Sequence, residues 1–472
     1  MTLHSLRQLR TVLNASLDQL EAFYEQKNLD LPSLDEPYTE GPAESALTDP
    51  QIVDSVNAII GASYQLISTV RTPYLSMFDA VTACQMSACL RVAEEIHAPE
   101  ILREAGSAGL HVDQIAAKCG LEPTKLARVL RLLATHHIFL EVKPNVFATN
   151  RIASAFDSGK AVDALLTGTI DKYSGTTGAA AVLSHGTDEV MKASGYLWET
   201  LSSPEKGHSF SAIHAPMQEC FKMNEQFFSW IERPENAKRF ARLGAAMRGT
   251  SLWNSPDAIL QGFDWGSLKS DDVIVDVGGG TGMPAMIVAR AFQNMKIVIQ
   301  EREQVVKDGE AYWSETYPEA LKSGRITFQA HEFFNENPQK NASVFLVRTV
   351  LHDWPDSDSM KILSHLRQAA TPKTRLLIGD YMIPYACRDD SPASAIPGAK
   401  VKQAPAPLLA NYGKASYLAY TLDLSMLTNF NGQERTLPHL VDLCSRAGWK
   451  AVGAHRQDDN PFGYLVCEPA QI

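Results

Sequence analysis

From residue 271 onward, short runs of branched apolar residues alternate with amphipathic stretches, and this limits the fold more than any other feature. The runs DDVIVDV, KIVIQ, RITFQA, ASVFLVR and TRLLIGDYM are separated by segments of helical periodicity; WKAVGAH and GYLVCEP follow late. Strands this short and this continuously apolar must be covered on both faces. The pattern therefore predicts an α/β fold with a doubly wound, Rossmann-like, mostly parallel sheet over residues 266–472. One stretch, from 386 to about 412, breaks the alternation with Pro, Ala and Ser and reads as a mobile insertion.

The first strand of that series, VIVDV, runs into Gly278-Gly279-Gly280-Thr281-Gly282. In an open α/β sheet the carboxyl end of a strand is where ligands bind, because the backbone allows close approach and the next helix presents its N-terminus. The spacing is G-x-G-x-G with Met283 where the dinucleotide fingerprint needs a glycine, which argues against a nicotinamide dinucleotide. A nucleoside remains a good candidate. Asp276 stands two residues before the turn, and Glu301 closes the second strand about 20 residues later, the usual place for a ribose acceptor. Glu332 follows the third strand beside Phe333 and Phe334, so a carboxylate and an aromatic ring can meet a base. Three acids at three successive strand ends are hard to explain as surface charge alone.

The fourth strand ends in LHDWPD. His352 overlooks the same cleft and is the candidate general base; the alternative is a structural turn, with Asp353 or Asp356 capping a helix near Ser357 and Trp354 as core.

Upstream, the predicted organisation is an N-terminal helix and linker (1–50), a helical domain (51–160) and a helical region that could wall a substrate pocket (161–265). Leu6, Leu9, Leu13, Leu17 and Leu20 share one helix face. LHVDQIAAKCGLEPTKLARVLRLLATHHIFLEV reads as a helix-turn-helix with a β wing near Phe139–Phe147. Such a unit reads DNA or packs as a dimerisation module. Lys and Arg total 43 against 54 Asp and Glu, and a net charge of −11 weighs against nucleic acid and anionic membrane. Seven scattered cysteines without a C-x-x-C pair fit reduced thiols in the cytoplasm and no structural metal site.

VDVGGGTG, the acid after the second strand, HEFF, LHDWPD, GDYMIP and NGQERT resemble, in that order, the motifs of the S-adenosylmethionine-dependent O-methyltransferases that act on small phenols in plants and fungi. The helix-turn-helix is similar to that family's winged-helix dimerisation domain. The resemblance covers roughly residues 70–470 and implies S-adenosyl-L-methionine as cofactor, a phenolic or polyketide-like substrate and a homodimer. It also implies that Asp380 and Glu434 are the carboxylates that hold His352, and that Arg348 is the basic position near the cofactor. Glu301, Glu332 and Asp380 stand where the family more often has Asp, Asp and Glu, which keeps the charge and moves each carboxylate by one methylene. Met247, Met426 and Phe430 are the candidate walls for a flat aromatic ring. Some relatives use the same pocket for pericyclic or elimination chemistry; the intact His352, Asp380 and Glu434 set favours methyl transfer.

Overall fold

A computed structural model describes residues 3–253, 257–456 and 460–471. The chain forms two compact units. One comprises residues 1–203 with 216–253, the other 204–215 with 254–472. The region 161–265 is thus divided between them.

The first unit is helical apart from a small antiparallel sheet in the order β1-β3-β2, built from β1 (Leu110–His111), β2 (Leu140–Lys143) and β3 (Val146–Ala148). Its helix-turn-helix is the pair Val112–Cys119 and Pro123–Thr135. Gly120, in the left-handed region at φ 70°, ends the first helix. Pro123 opens the second, where the Glu122 carboxylate accepts the Lys125 N–H at 2.8 Å. Ile115, Leu126, Leu130, Leu133, Phe139 and Phe147 form the core between helices and wing. Arg131, on the second helix, is engaged by Glu141 and Asn145.

The second unit carries seven strands: β4 (Val273–Val277), β5 (Lys296–Glu301), β6 (Ile326–Ala330), β7 (Val344–Arg348), β8 (Arg375–Tyr381), β9 (Trp449–Arg456) and β10 (Phe462–Pro469). They are ordered β6-β5-β4-β7-β8-β10-β9. The first five are mutually parallel, and β10 runs antiparallel to both β8 and β9. Alternation along each strand makes two cores. Val273, Val275, Val277, Phe345 and Val347 point to one face, which the helices Asp356–Ala369 and Leu437–Arg446 cover. Ile274, Val344 and Leu346 point to the other, against Met283–Ala291 and Trp313.

This strand order decides where a site can form. The chain steps outward from β4 to β6 and then returns to β7, which pairs with β4 on its free side. The crevice beyond the carboxyl ends of β4 and β7 is a topological switch point, so the glycine turn and the His352 turn face the same opening.

Within the 386–412 segment, residues 393–399 pack against β9 and the core. The Ala454 N–H of β9 donates to Pro397 O at 2.8 Å, Ala393 and Ala399 are buried in the core, and a Cβ on Gly398 would stand 2.0 Å from Ala454 O.

Trp449 fills the core at the start of β9, fully buried, with its indole N–H donated to Leu363 O at 3.0 Å. Trp449→Ala should lower unfolding free energy in urea by about 3–5 kcal/mol, the usual range for a buried Trp truncated to Ala.

Candidate active site

The glycine turn is held on the end of β5. The N–H groups of Gly278 and Gly279 both donate to Gln300 O, at 2.9 and 3.2 Å. The indole N–H of Trp313 donates to Thr281 O at 2.9 Å and fixes the far side of the turn. Gly279 has no room for a side chain, because a Cβ there would lie 2.7 Å from the Asp276 carboxyl and 2.9 Å from Ile299. At Gly280, φ is 57° and nothing lies within 4 Å of where a Cβ would point, so this stretch of backbone is open to a ligand.

Asp276 is buried, and its Oδ2 has no hydrogen-bond partner. Burial, reinforced by Glu301, pushes its pKa up to about 7 against the opposing charge of Arg348. Burial likewise raises Glu301, whose Oε2 accepts the Arg302 N–H at 2.6 Å. Glu332 is exposed in the turn after β6, where its Oε1 accepts the Phe334 N–H at 3.4 Å. Phe333 borders Gly278 and meets Phe334 and Trp354 edge to face, so Trp354 belongs to an aromatic cluster under the turn. Arg348 lies over the Phe462 ring, 4.8 Å from its centroid, and its charge opposes the burial that raises the Tyr464 phenol.

Thr349 follows, a β-branched residue at φ 51°, a conformation that costs on the order of 1–3 kcal/mol. Its N–H donates to Gly379 O at 2.8 Å, and this bond to β8 holds the strained residue in place. The reversal carries the chain into the short helical turn Leu351–Asp353 and aims His352 at the crevice.

His352 Nδ1 lies 2.7 Å from Glu434 Oε1, and Nε2 lies 3.6 Å from Asp353 Oδ1. His352, Asp380 and Glu434 each present an atom within 4.8 Å of the others, and among the described residues only these three form a group of that kind. Asp380 and Glu434 are both buried, and Asp380 Oδ1 and Glu434 Oε2 have no partner. Burial opposes protonation of His352, but Glu434, Asp353 and Asp380 overcome it and push the imidazole up to about 10. Burial, with Glu434 adding to it, pushes Asp380 up to about 7.

The capping alternative for this turn fails. The helix from Asp356 has no side-chain cap; the Asp356 carboxylate instead accepts from Gln433, Arg435 and His439. Asp423, on the helix Tyr417–Phe430, accepts the Glu434 N–H at 2.9 Å. Thr349, Trp313, Asp423 and Arg435 were not among the expected site residues; only Arg435 had a visible signal, as the neighbour of Glu434 in NGQERT. Met426 and Phe430 lie four residues apart on the Tyr417–Phe430 helix, partly buried. Met247 belongs to the first unit, half-exposed on the helix Ala237–Gly249.

With this geometry in hand, comparison with known proteins gives the class. Residues 216–399 match the O-methyltransferase domain, and residues 78–158 match the O-methyltransferase dimerisation domain. The chain is 39% identical over 448 residues to an O-methyltransferase of Armillaria gallica, covering 94% of each chain. It is 38% identical to 4-O-methyltransferase 1 of Phanerochaete chrysosporium, covering 98% of this chain and 97% of that one. A structure of CalO1, a methyltransferase in calicheamicin biosynthesis with SAH bound, shares the fold with a TM-score of 0.58 and 22% identity, covering 84% and 98% of the two chains. The chain therefore belongs to the S-adenosylmethionine-dependent O-methyltransferases that carry an N-terminal dimerisation domain. It is an O-methyltransferase.

The crevice fits that cofactor. An orphaned buried acceptor at Asp276, a part-buried acid at Glu301 and a bare backbone at Gly280 suit a cation that brings amine and ribose donors. Gly279→Ala should weaken S-adenosylmethionine binding by about 1–3 kcal/mol, roughly 5- to 150-fold, in calorimetric titration while the fold persists.

Proposed function

We propose that this enzyme methylates a hydroxyl of a small phenolic or polyketide-like metabolite, with His352 as the general base. The observation that carries this reading is the hydrogen bond between part-buried His352 and buried Glu434 at the topological switch point. Asp276, Gly278, Gly279, Gly280, Glu301, Glu332, Phe333 and Arg348 form the proposed cofactor site. When bound, S-adenosylmethionine supplies an electrophilic methyl group on a sulfonium. The residues must then bring an oxygen to it, in line, with its proton removed.

A phenol with pKa near 10 gives up its proton poorly at neutral pH. Glu434 addresses this by accepting from Nδ1, which leaves Nε2 free to take the proton and stabilises the imidazolium that results. Glu434, Asp353 and Asp380 push the imidazole up to about 10 against its burial, so the neutral form that accepts the proton grows as pH rises. Asp380 keeps a second carboxyl against the pair, and Met426 and Phe430 offer a soft and a flat surface to an aromatic ring.

A homodimer is part of this reading. It is supported by the match to the dimerisation domain and by Val70, Tyr74, Met77 and Val81, all more than 60% exposed on the isolated chain. No helix among the described residues is long and apolar enough to cross a membrane.

Two outcomes are expected. With labelled S-adenosylmethionine and a panel of simple phenols, His352→Ala should lose roughly 10²–10⁴-fold in kcat while calorimetry shows cofactor binding unchanged. Full transfer by that variant would reject the base. The pH dependence follows from the raised imidazole: the neutral base grows as pH rises through its pKa. Wild-type kcat/KM should therefore climb on the alkaline side of 6.5, the ordinary histidine value, and a limb centred at or below 6.5 would contradict the pairing.

A further inference from the structure

We propose that Arg435, held by Asp356, is a positioning residue that fixes the His352–Glu434 geometry by tying three separate segments into one unit. The inference rests on His352 as the base and concerns what places it. Arg435 follows Glu434 directly and is buried. Its Nη1 donates to Leu351 O at 2.8 Å, and its Nη2 donates to Trp354 O at 2.8 Å and to Ser359 Oγ at 3.1 Å. The two carbonyls flank His352 on either side, so the guanidinium holds both ends of the turn that carries the base.

The backbone of Arg435 makes the third connection. Arg435 bridges Met382 in parallel register, and the Ile383 N–H donates to Arg435 O at 3.1 Å, just past the strand end that carries Asp380. Asp356 closes the clamp by accepting Arg435 Nε at 3.0 Å, and it also accepts from Gln433 and His439 at 2.8 and 2.7 Å. Gln433 N–H donates back to His352 O at 2.9 Å, and a Cβ on Gly432 would stand 2.3 Å from that same oxygen. The loop is thus seated on the base's own backbone. A lysine cannot reproduce this, because one ammonium cannot span acceptors that a planar fork reaches together.

Charge sets what should be seen when the clamp loosens. His352 is faced by Asp353 from its own turn, by Glu434 from the loop and by Asp380 from β8, while Asp423 from the Tyr417–Phe430 helix faces Glu434. If the loop drifts from the turn, the Glu434 contribution falls first and the imidazole holds its proton less tightly.

The test needs no knowledge of the substrate. In the full-length protein with ¹³C-labelled histidine, the His352 resonance is assigned by its loss in His352→Asn and titrated in wild type, Arg435→Lys, Asp356→Ala and Glu434→Gln. The clamp predicts that both Arg435→Lys and Asp356→Ala move the His352 midpoint down by about one pH unit or more. With a phenol that wild type methylates, kcat should fall by roughly tenfold or more while KM for S-adenosylmethionine stays within about twofold. Asp356 is part-exposed, so its variant should fold even where Arg435→Lys does not, and then it decides alone. Wild-type titration of His352 in the folded variants, whatever happens to Tm, overturns the proposal. A downward shift in Glu434→Gln only would leave the base pair standing and remove Arg435 from it. Full activity of the His352 variant would instead reject the base.

Discussion

The hydrogen bond between His352 and Glu434 joins segments 82 residues apart, a part-buried imidazole and a fully buried carboxylate. Most of the second unit can be read as the means of making that bond. The sheet returns to β7 beside β4, so the turn carrying the histidine opens on the same crevice as the glycine turn. A strained Thr349, held by β8, turns the chain toward that crevice. Glu434 arrives from the other direction, on a loop pinned by Asp423 below and by the backbone of His352 above. An imidazole alone at this depth would resist protonation; the buried carboxylate reverses that preference.

The same low dielectric that strengthens this bond makes the rest of the site costly. Asp276, Asp380 and Glu434 each bury an oxygen with no partner, and two of these acids are pushed up to about 7. Stability elsewhere has to offset such groups. Under the proposed mechanism they serve a cationic, donor-rich ligand at one end of the crevice and the removal of a proton at the other. The two cores on either face of the sheet, with the fully buried Trp313 and Trp449 among their largest members, supply that offset.

Periodic features of this protein were legible in its sequence. Period-two and continuous apolar runs gave the strands, the glycine turn marked the ligand end of β4, and the leucine spacing with Gly120 and Pro123 gave the helix-turn-helix. Acids at strand ends could be found because strand ends converge by topology. What sequence hid were contacts made by folding alone. Asp356 looked like a helix cap because it precedes a helix, yet its partners are Gln433, Arg435 and His439, about 80 residues away. Within residues 386–412, composition does not show backbone hydrogen bonds such as that from Ala454 to Pro397. The one local hint there was Gly398, whose φ of 76° and close approach to β9 require glycine.

The claim that His352 removes the acceptor's proton is tested most directly by varying the acidity of the acceptor. Methyl transfer by wild type and His352→Ala should be compared across ring-substituted phenols, from pKa near 10 to values below the assay pH. If the histidine acts as a base, the deficit of the variant is large for the weakly acidic phenols and shrinks toward nothing for those already ionised in solution. A deficit that stays the same across the series would show that His352 holds the substrate or the fold and takes no proton.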